Sequence, residues 1–384
     1  MRRITHVRLP EPLGNCEGNL WWVLLDEQDI VLSIHPMERG SSMAGAHWGG
    51  DWLSPMGIDL QMNGGLGLAF PELTDQDLPI LLDLLDKLWL DGVEAICPTF
   101  ISGELAAFHL GLDVLRKARK LNSSNRCKLL GAHLEGPFLA QERCGAHSRE
   151  FLSSPSLSAL HQLIGGREDE IDLVTLAPEL DGSLEVITRL KNLGVIVCLG
   201  HSSANEKICR FAFDQGVSML THGFNAMPGL GHRAPGPIGE AINHGGIAIG
   251  LIADGAHIHP SIAVLLQRVA SKQVVLVSDA IAPYGLQDGN YTWDKRSIIS
   301  EKGCCRLENG TLAGSTVPLL KACQNLARWS GEASSAIWSA TIAPRLVLAK
   351  TDKSNDYLIG QPLKHLLRWT MNVEQDELSW QRAA

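Results

Sequence analysis

Four short apolar runs in this chain end on an ionisable residue. Lys128-Leu129-Leu130-Gly131-Ala132 leads into His133-Leu134-Glu135, and Gly136-Pro137 then stops it. Val195-Ile196-Val197-Cys198-Leu199-Gly200 leads into His201, Ser218-Met219-Leu220-Thr221 into His222, and Val274-Val275-Leu276-Val277-Ser278 into Asp279. Short apolar runs bounded by turn signals read as buried strands. Strands that end in ionisable groups present chemistry at the carboxyl edge of a parallel sheet. Four such endings, far apart in sequence, point to strand tips that converge on one site.

Other segments extend the pattern. Gly57–Gly65 alternates, with Ile58, Leu60 and Met62 on one face and Asp59, Gln61 and Asn63 on the other. Val93–Thr99, Ile171–Pro178 and Gly246–Ile252 read as further strands. Helical stretches lie between them at Thr74–Gly92, Glu104–Leu121, Leu184–Asn192 and Ile262–Ser271. Thr74-x-x-Asp77 and Ser203-x-x-Glu206 are capping-box patterns at helix starts. Eight strands, most followed by a helix, predict an α/β fold with a parallel sheet, a (β/α)8 TIM-type barrel. A doubly wound sheet is the alternative, but no glycine fingerprint follows the first strand.

The two ends differ from the middle. Leu20–Leu25, Ile30–Ile34 and Trp48–Leu53 are β-prone, while strand signals are weak over residues 1–18. Residues 295–315 return to β character, and Ser334–Lys350 reads as helix. The tail around Tyr357–Trp380 is expected to pair with the amino-terminal strands. The expected division is a small β domain from residues 1–54 and 351–384, with the barrel at 55–350.

Composition narrows the function classes. Hydrophobic residues are 45% and charged residues 20% of the 384, which suits a packed core. The net charge of −9 gives no footprint for nucleic acid or an anionic membrane. The nine cysteines contain no C-x-x-C pair, which suits a reducing cytoplasm. The first residues, MRRITHVRLPEPLG, lack an apolar signal segment, and no apolar run approaches the ~20 residues that span a bilayer.

Glu135, His201 and His222 make a carboxylate and two imidazoles, three ligands that leave a fourth position for water or substrate. Such a set suits one divalent cation, zinc first, with iron or manganese open. Asp279 on a neighbouring strand is then the general base and, later, the general acid. Taken singly, Glu135 before Gly-Pro could cap a turn and Asp279 could be an N-cap. Taken together, those readings weaken, because all four residues close apolar strands. Of the fourteen histidines, His133, His161, His244 and His365 read as surface or hydrogen-bonded residues.

These residues stand inside a wider series of motifs. GIDLQMNGG at 57–65, HLEGPF at 133–138, GAH at 145–147, VTLAPE at 174–179, GHSSA at 200–204, THGFNAMP at 221–228, HRAPG at 232–236, IADGAH at 252–257, SDA at 278–280 and GTLAGST at 310–316 occur in this order. The chain resembles the N-acetylglucosamine-6-phosphate deacetylases of the amidohydrolase superfamily over roughly residues 55–350.

The resemblance implies a barrel plus a small β domain from both termini. It implies removal of the acetyl group from N-acetyl-D-glucosamine 6-phosphate, with Glu135, His201 and His222 as metal ligands and Asp279 as acid/base. It assigns substrate contacts to Ala146, His147, Asn225, Ala226, Arg233, His257 and Leu312-Ala313-Gly314. It implies a homodimer whose phosphate pocket is shared, with Arg233 and His257 contributed by the partner. Most of the superfamily carries His-x-His on the first strand for a second metal. Here those positions are Gln61 and Asn63, whose neutral amides are poor ligands, so a single-metal site is expected. The small Ala146 leaves only its backbone for substrate.

The alternatives are a deacetylase of N-acetylgalactosamine 6-phosphate, another amidohydrolase such as one acting on a cyclic ureide, and a non-catalytic sugar-phosphate-binding barrel. A cyclic ureide would not need Arg233 and His257. Loss of Glu135, His201, His222 or Asp279 would mark the last, and all four are present.

Overall fold

The computed structural model of the chain describes residues 1–384 apart from 14–17, 39, 41–42, 350–356 and 373. Eight parallel strands form the central sheet: β1 (Gly57–Met62), β2 (Val93–Ile101), β3 (Ala132–Glu135), β4 (Ile171–Leu176), β5 (Ile196–Leu199), β6 (Val217–Leu220), β7 (Ala248–Leu251) and β8 (Val274–Leu276). They pair in chain order from β1 to β8. The ends meet just beyond β8, where Asp279 N–H donates to the Gln61 carbonyl at 2.9 Å and Asn63 N–H to the Ala280 carbonyl at 2.6 Å. The outer helices include α1 (Leu78–Leu90), α2 (Leu105–Lys120), α3 (Leu157–Ile164), α4 (Ser183–Asn192), α5 (Glu206–Gln215), α6 (Gly236–His244), α7 (Pro260–Ala270) and α8 (Leu319–Ser330). This is the expected barrel.

Its interior is layered. Ile58, Leu60, Ala95, Cys97, Leu173, Cys198, Met219 and Val275 belong to one buried apolar cluster. Alternate residues such as Leu134, Val174, Val197 and Leu220 pack with the helices in another. Beyond the apolar layer comes a hydrogen-bonded one. His133 bonds the Leu60 carbonyl at 3.1 Å and Thr175 Oγ1 at 2.7 Å, and Thr175 bonds Thr221 Oγ1 at 2.6 Å. His133 is thus a bonded core histidine, and burial pulls its pKa down to about 4.

The alternation expected of the first strand breaks. The β1–β2 register shifts between Asp59 and Met62. Ile58 and Leu60 stay in the inner cluster, but Met62 packs with Phe70, Leu81 and Leu84. The shift turns Gln61 and Asn63 toward Asp279. A bulge re-aims side chains in this way.

Local signals were met with two corrections. The Asp77 carboxylate accepts Thr74 N–H at 2.8 Å, but the turn it caps is 3-10 (Asp75–Asp77) before α1 begins. Ser203 does not cap α5. Asn205 does, accepting Lys207 and Ile208 N–H at 3.1 Å, since α5 begins only at Glu206 and the Ser203 hydroxyl accepts from Arg143 Nε at 3.2 Å. The helix expected over Ser334–Lys350 is two, Ala333–Thr341 and Ala343–Ala349, with Pro344 at the second position of the latter, and Lys350 lies outside the described residues.

Strands from both ends form the small β region. Arg2–Val7, weakly signalled in the sequence, pairs with both Trp21–Leu25 and Ala46–His47. Leu366–Asn372 pairs with Glu377–Arg382 on one side and Trp52–Pro55 on the other. The fully buried Trp369 donates Nε1–H to Ser54 Oγ at 2.8 Å and locks that joint. Burying such a ring stabilises by about 1.5–3 kcal/mol. The expected boundary at 350/351 lies outside the described residues. A four-stranded antiparallel insert, Gly289–Trp293, Arg296–Glu301, Cys304–Leu307 and Leu312–Ser315, follows β8.

Candidate active site

The four strand-end residues converge. Glu135 closes β3, and His201, His222 and Asp279 follow β5, β6 and β8. His201 Nε2 lies 2.9 Å from Glu135 Oε1, His222 Nε2 lies 2.8 Å from the same oxygen, and the two Nε2 atoms are 3.1 Å apart. All four residues are buried. His201, His222 and Asp279 all have positive φ, 48°, 29° and 48°. Such backbone costs about 1–3 kcal/mol per residue and persists where surrounding structure enforces it, often at functional sites.

This donor set fits a divalent cation. Zinc bonds of ~2.0–2.1 Å in a tetrahedron put donor atoms ~3.3 Å apart, close to the three separations here. The His201 Nδ1–H donates to the Arg143 carbonyl at 2.8 Å, which leaves the Nε2 lone pair free for a ligand bond. Burial acts against the Glu135 charge, but the adjoining imidazoles of His147, His201 and His222 more than offset it and hold its pKa well below the usual carboxylate range. Burial also disfavours charge on His222, yet Glu135 overrides it and pushes the pKa up to about 9. His201 is pulled down to about 4 by burial and by His147. A cation would displace the proton on His222, as ligand bonding requires.

Glu135, His147 and His201 also have donor atoms within 4.8 Å of one another. The neighbours of His147 separate the two sets. Ser102 N–H donates to His147 Nδ1 at 3.3 Å, so the proton of the neutral ring sits on Nε2. That nitrogen, 3.9 Å from Glu135 Oε1, faces the site as a donor, whereas His201 faces it as an acceptor. Ser102 gave no signal in the sequence.

Asp279 is held by two amides. Asn63 Nδ2 and Gln61 Nε2 donate to its Oδ1 at 2.7 and 3.1 Å, and Gln61 Nε2 also lies 3.3 Å from Glu135 Oε2. Burial and the nearby Glu135 charge raise the Asp279 pKa to about 7.

One cavity of about 480 Å³ opens onto these groups. It is lined by Asn63, Glu135, Ala146, His147, His201, His222, Asn225, Ala226, His257, Asp279 and Leu312-Ala313-Gly314. Ile101, Trp293, Arg143 and Arg306 also line it and were not foreseen. Trp293 comes from the first strand of the insert, a segment that no motif marked, unlike Leu312–Ser315 at its other end. Ala146 has its carbonyl engaged by Arg296 Nη2 at 2.7 Å. Asn225 Nδ2 is bonded to the His222 and Gly223 carbonyls. Gly314 has φ +136°, and a Cβ there would stand 2.8 Å from the Asp279 carbonyl, so only glycine lets this strand pass.

Two recognition residues lie differently from expectation. His257 lines the cavity of its own chain, with Nδ1–H donating to Asp254 Oδ2 at 2.6 Å, so the expected contribution of His257 from a partner is corrected. The Asp254 carboxylate also takes the Ala256 and His257 N–H groups, a short turn that holds the ring inward. Arg233 is exposed on the loop before α6 and lies outside the cavity lining.

No protein-family model matches the chain. The chain is 35% identical over 324 residues to the N-acetylgalactosamine-6-phosphate deacetylase of Escherichia coli O157:H7, covering 83% of each. It is 34% identical over 321 residues to the N-acetylglucosamine-6-phosphate deacetylase of Rattus norvegicus, covering 80% of this chain and 78% of that one. Its fold matches the crystal structure of N-acetyl-D-glucosamine-6-phosphate deacetylase from Mycobacterium smegmatis with a TM-score of 0.80 and 25% identity, over 100% of this chain and 99% of that one. Relatives at this identity, matched over most of both chains and on the same barrel, place the chain in the N-acetylglucosamine-6-phosphate deacetylase family.

Proposed function

We propose that this chain hydrolyses the acetamide of N-acetyl-D-glucosamine 6-phosphate to D-glucosamine 6-phosphate and acetate. One observation carries the chemistry: Glu135, His201 and His222 meet at a point, with a clamped Asp279 opening onto the same cavity. Glu135, His201 and His222 would hold one divalent cation, zinc first, with iron or manganese open. Such a cation, when bound, would supply acidification of a water and polarisation of a carbonyl.

The chain's own groups do the rest. Asp279 takes the proton of the attacking water through Oδ2, since Oδ1 is occupied by the two amides. His147 Nε2–H faces the oxyanion that forms on the acetyl carbonyl. Asp279 then returns the proton to the amine, which leaves as the C–N bond breaks. Trp293, Ile101 and Leu312 supply apolar wall for the sugar and the acetyl methyl.

A second reading is N-acetylgalactosamine 6-phosphate, favoured by the name of the 35% identical relative. We also assign a homodimer, in which Arg233 reaches the neighbouring cavity, and a cytoplasmic location. The exposure of Arg233 outside its own cavity supports the first. Among the described residues eight cysteines are free, which supports the second. No described helix is long and apolar enough to cross a membrane.

The test is acetate release from both sugar phosphates, with and without a chelator. Chelator-sensitive release, faster from the gluco substrate, is the expected result. Absence of release from either would overturn the reading.

A further inference from the structure

One cation of the cavity remains unexplained. Arg306 lines it together with Glu135, His201, His222 and Asp279. It sits in the insert strand Cys304–Leu307. Cys305 and Leu307 pack into the insert core with Ile281, Trp293 and Ala313, so alternation turns Arg306 to the opposite face. A register shift between Cys305 and Arg306 sets Arg306 opposite Leu312 in the next strand. Three residues after Leu312, Ser315 N–H donates to the Asp279 carbonyl at 2.9 Å. Three strand residues span about 10 Å. Arg306 thus lines the cavity from a strand position whose partner, Leu312, lies about 10 Å of backbone from the residue that bonds Asp279.

The guanidinium is largely free to bind. It has five N–H donors, of which one, on Nη1, goes to the Gly310 carbonyl at 3.0 Å. Among the described residues it makes no ion pair with a carboxylate. Arg143, the other arginine of the cavity, differs. It adjoins Glu142, bonds Ser203 Oγ through Nε at 3.2 Å, and its carbonyl orients His201.

We propose that Arg306 grips the 6-phosphate of the substrate from within the same chain and so sets specificity for phosphorylated sugars. This rests on the amino-sugar phosphate reading above. A chain of net charge −9 repels a dianion at long range, so affinity for one needs a local donor. A planar guanidinium fork matches phosphate oxygens in pairs.

The test uses Arg306→Gln and Arg306→Lys in the metal-loaded enzyme. The side chain is exposed, so both variants should fold. Arg306→Gln should lower kcat/KM on N-acetylglucosamine 6-phosphate by at least about tenfold through KM. It should leave kcat/KM on N-acetylglucosamine unchanged, and Arg306→Lys should keep part of the loss from appearing. By calorimetry, Arg306→Gln should weaken binding of glucosamine 6-phosphate but not of glucosamine. Mixing with Asp279→Asn chains should restore nothing, because each cavity uses its own Arg306. Equal losses on both sugars, no loss, or recovery on mixing would each overturn the proposal. A wild-type enzyme indifferent to phosphorylation would instead bring down the amino-sugar phosphate reading itself, and the role of Arg306 with it.

Discussion

Asn63, just past the end of β1, donates its amide Nδ2–H to Asp279, just past β8, at 2.7 Å. Gln61 donates to the same Oδ1 at 3.1 Å. These are the two first-strand positions at which the family resemblance leads us to expect neutral amides and no second metal. Here they hold the Asp279 carboxylate through Oδ1 and leave Oδ2 outside their grip. The amide orientation follows from the partner, because an ionised carboxylate only accepts.

Asn63→Ala should therefore lower kcat by roughly 10–100-fold, the usual range for a partner that orients a working group. KM and metal content should stay near wild type. Steady-state kinetics with elemental analysis decides it. An unchanged kcat would mean that Gln61 alone positions Asp279.

Asp279→Asn should keep the metal and lose about 10²–10⁴-fold in kcat, the contribution typical of a general acid–base group. Elemental analysis separates loss of chemistry from loss of the site. Turnover near wild type would remove Asp279 from the proton path.

Native protein should contain one divalent ion per chain, removed by chelator with loss of activity and restored by metal. Glu135→Gln should bind it far more weakly, since Glu135 Oε1 is the atom both imidazoles face. Two stoichiometric ions in elemental analysis would contradict the amide role of Gln61 and Asn63.

Arg233→Ala should lower kcat/KM on the phosphorylated sugar by about tenfold or more, as for a charged hydrogen bond. Its exposed place outside its own cavity gives a specific expectation. Mixing with Asp279→Asn chains should restore part of the activity, because one cavity in the mixed dimer then has both groups. Failure to recover would place Arg233 outside substrate recognition across a dimer.

Asp59 gives a pH prediction for stability. Burial raises its pKa from 3.8 to about 6, against hydrogen bonds from Ser278 and Gln61 that lower it. A carboxyl raised in the folded state binds more protons folded than unfolded. Its contribution is therefore fully present below 3.8 and is lost as pH rises through about 6. The stability of wild type relative to Asp59→Asn should fall by up to ~3 kcal/mol over that window and then level off. Chemical denaturation of both proteins at pH 4, 5, 6 and 7.5 measures it. A constant difference would show that Asp59 titrates at its ordinary value.

The sequence by itself determined the barrel and the identity of the four central residues. Both are local signals. A buried strand is an apolar run, and a working residue at its tip is the polar residue that ends the run. Eight such units leave little choice of architecture. The pairing of the tail with Trp52–Pro55 was legible for the same reason, from β-prone runs at both ends.

Tertiary structure alone decided what depends on neighbours distant in the chain. The break in β1 that aims Gln61 and Asn63 at Asp279 arises from its register with β2, which no alternation within nine residues discloses. His147 becomes a donor and His201 an acceptor because Ser102 N–H meets one ring and the Arg143 carbonyl the other. His257 belongs to its own cavity because Asp254 turns it inward. Arg306 lines the cavity from a strand whose shifted ladder sets it across from Leu312. Residue type limits what a side chain can do. Its partner, brought near by folding, selects which of those things it does.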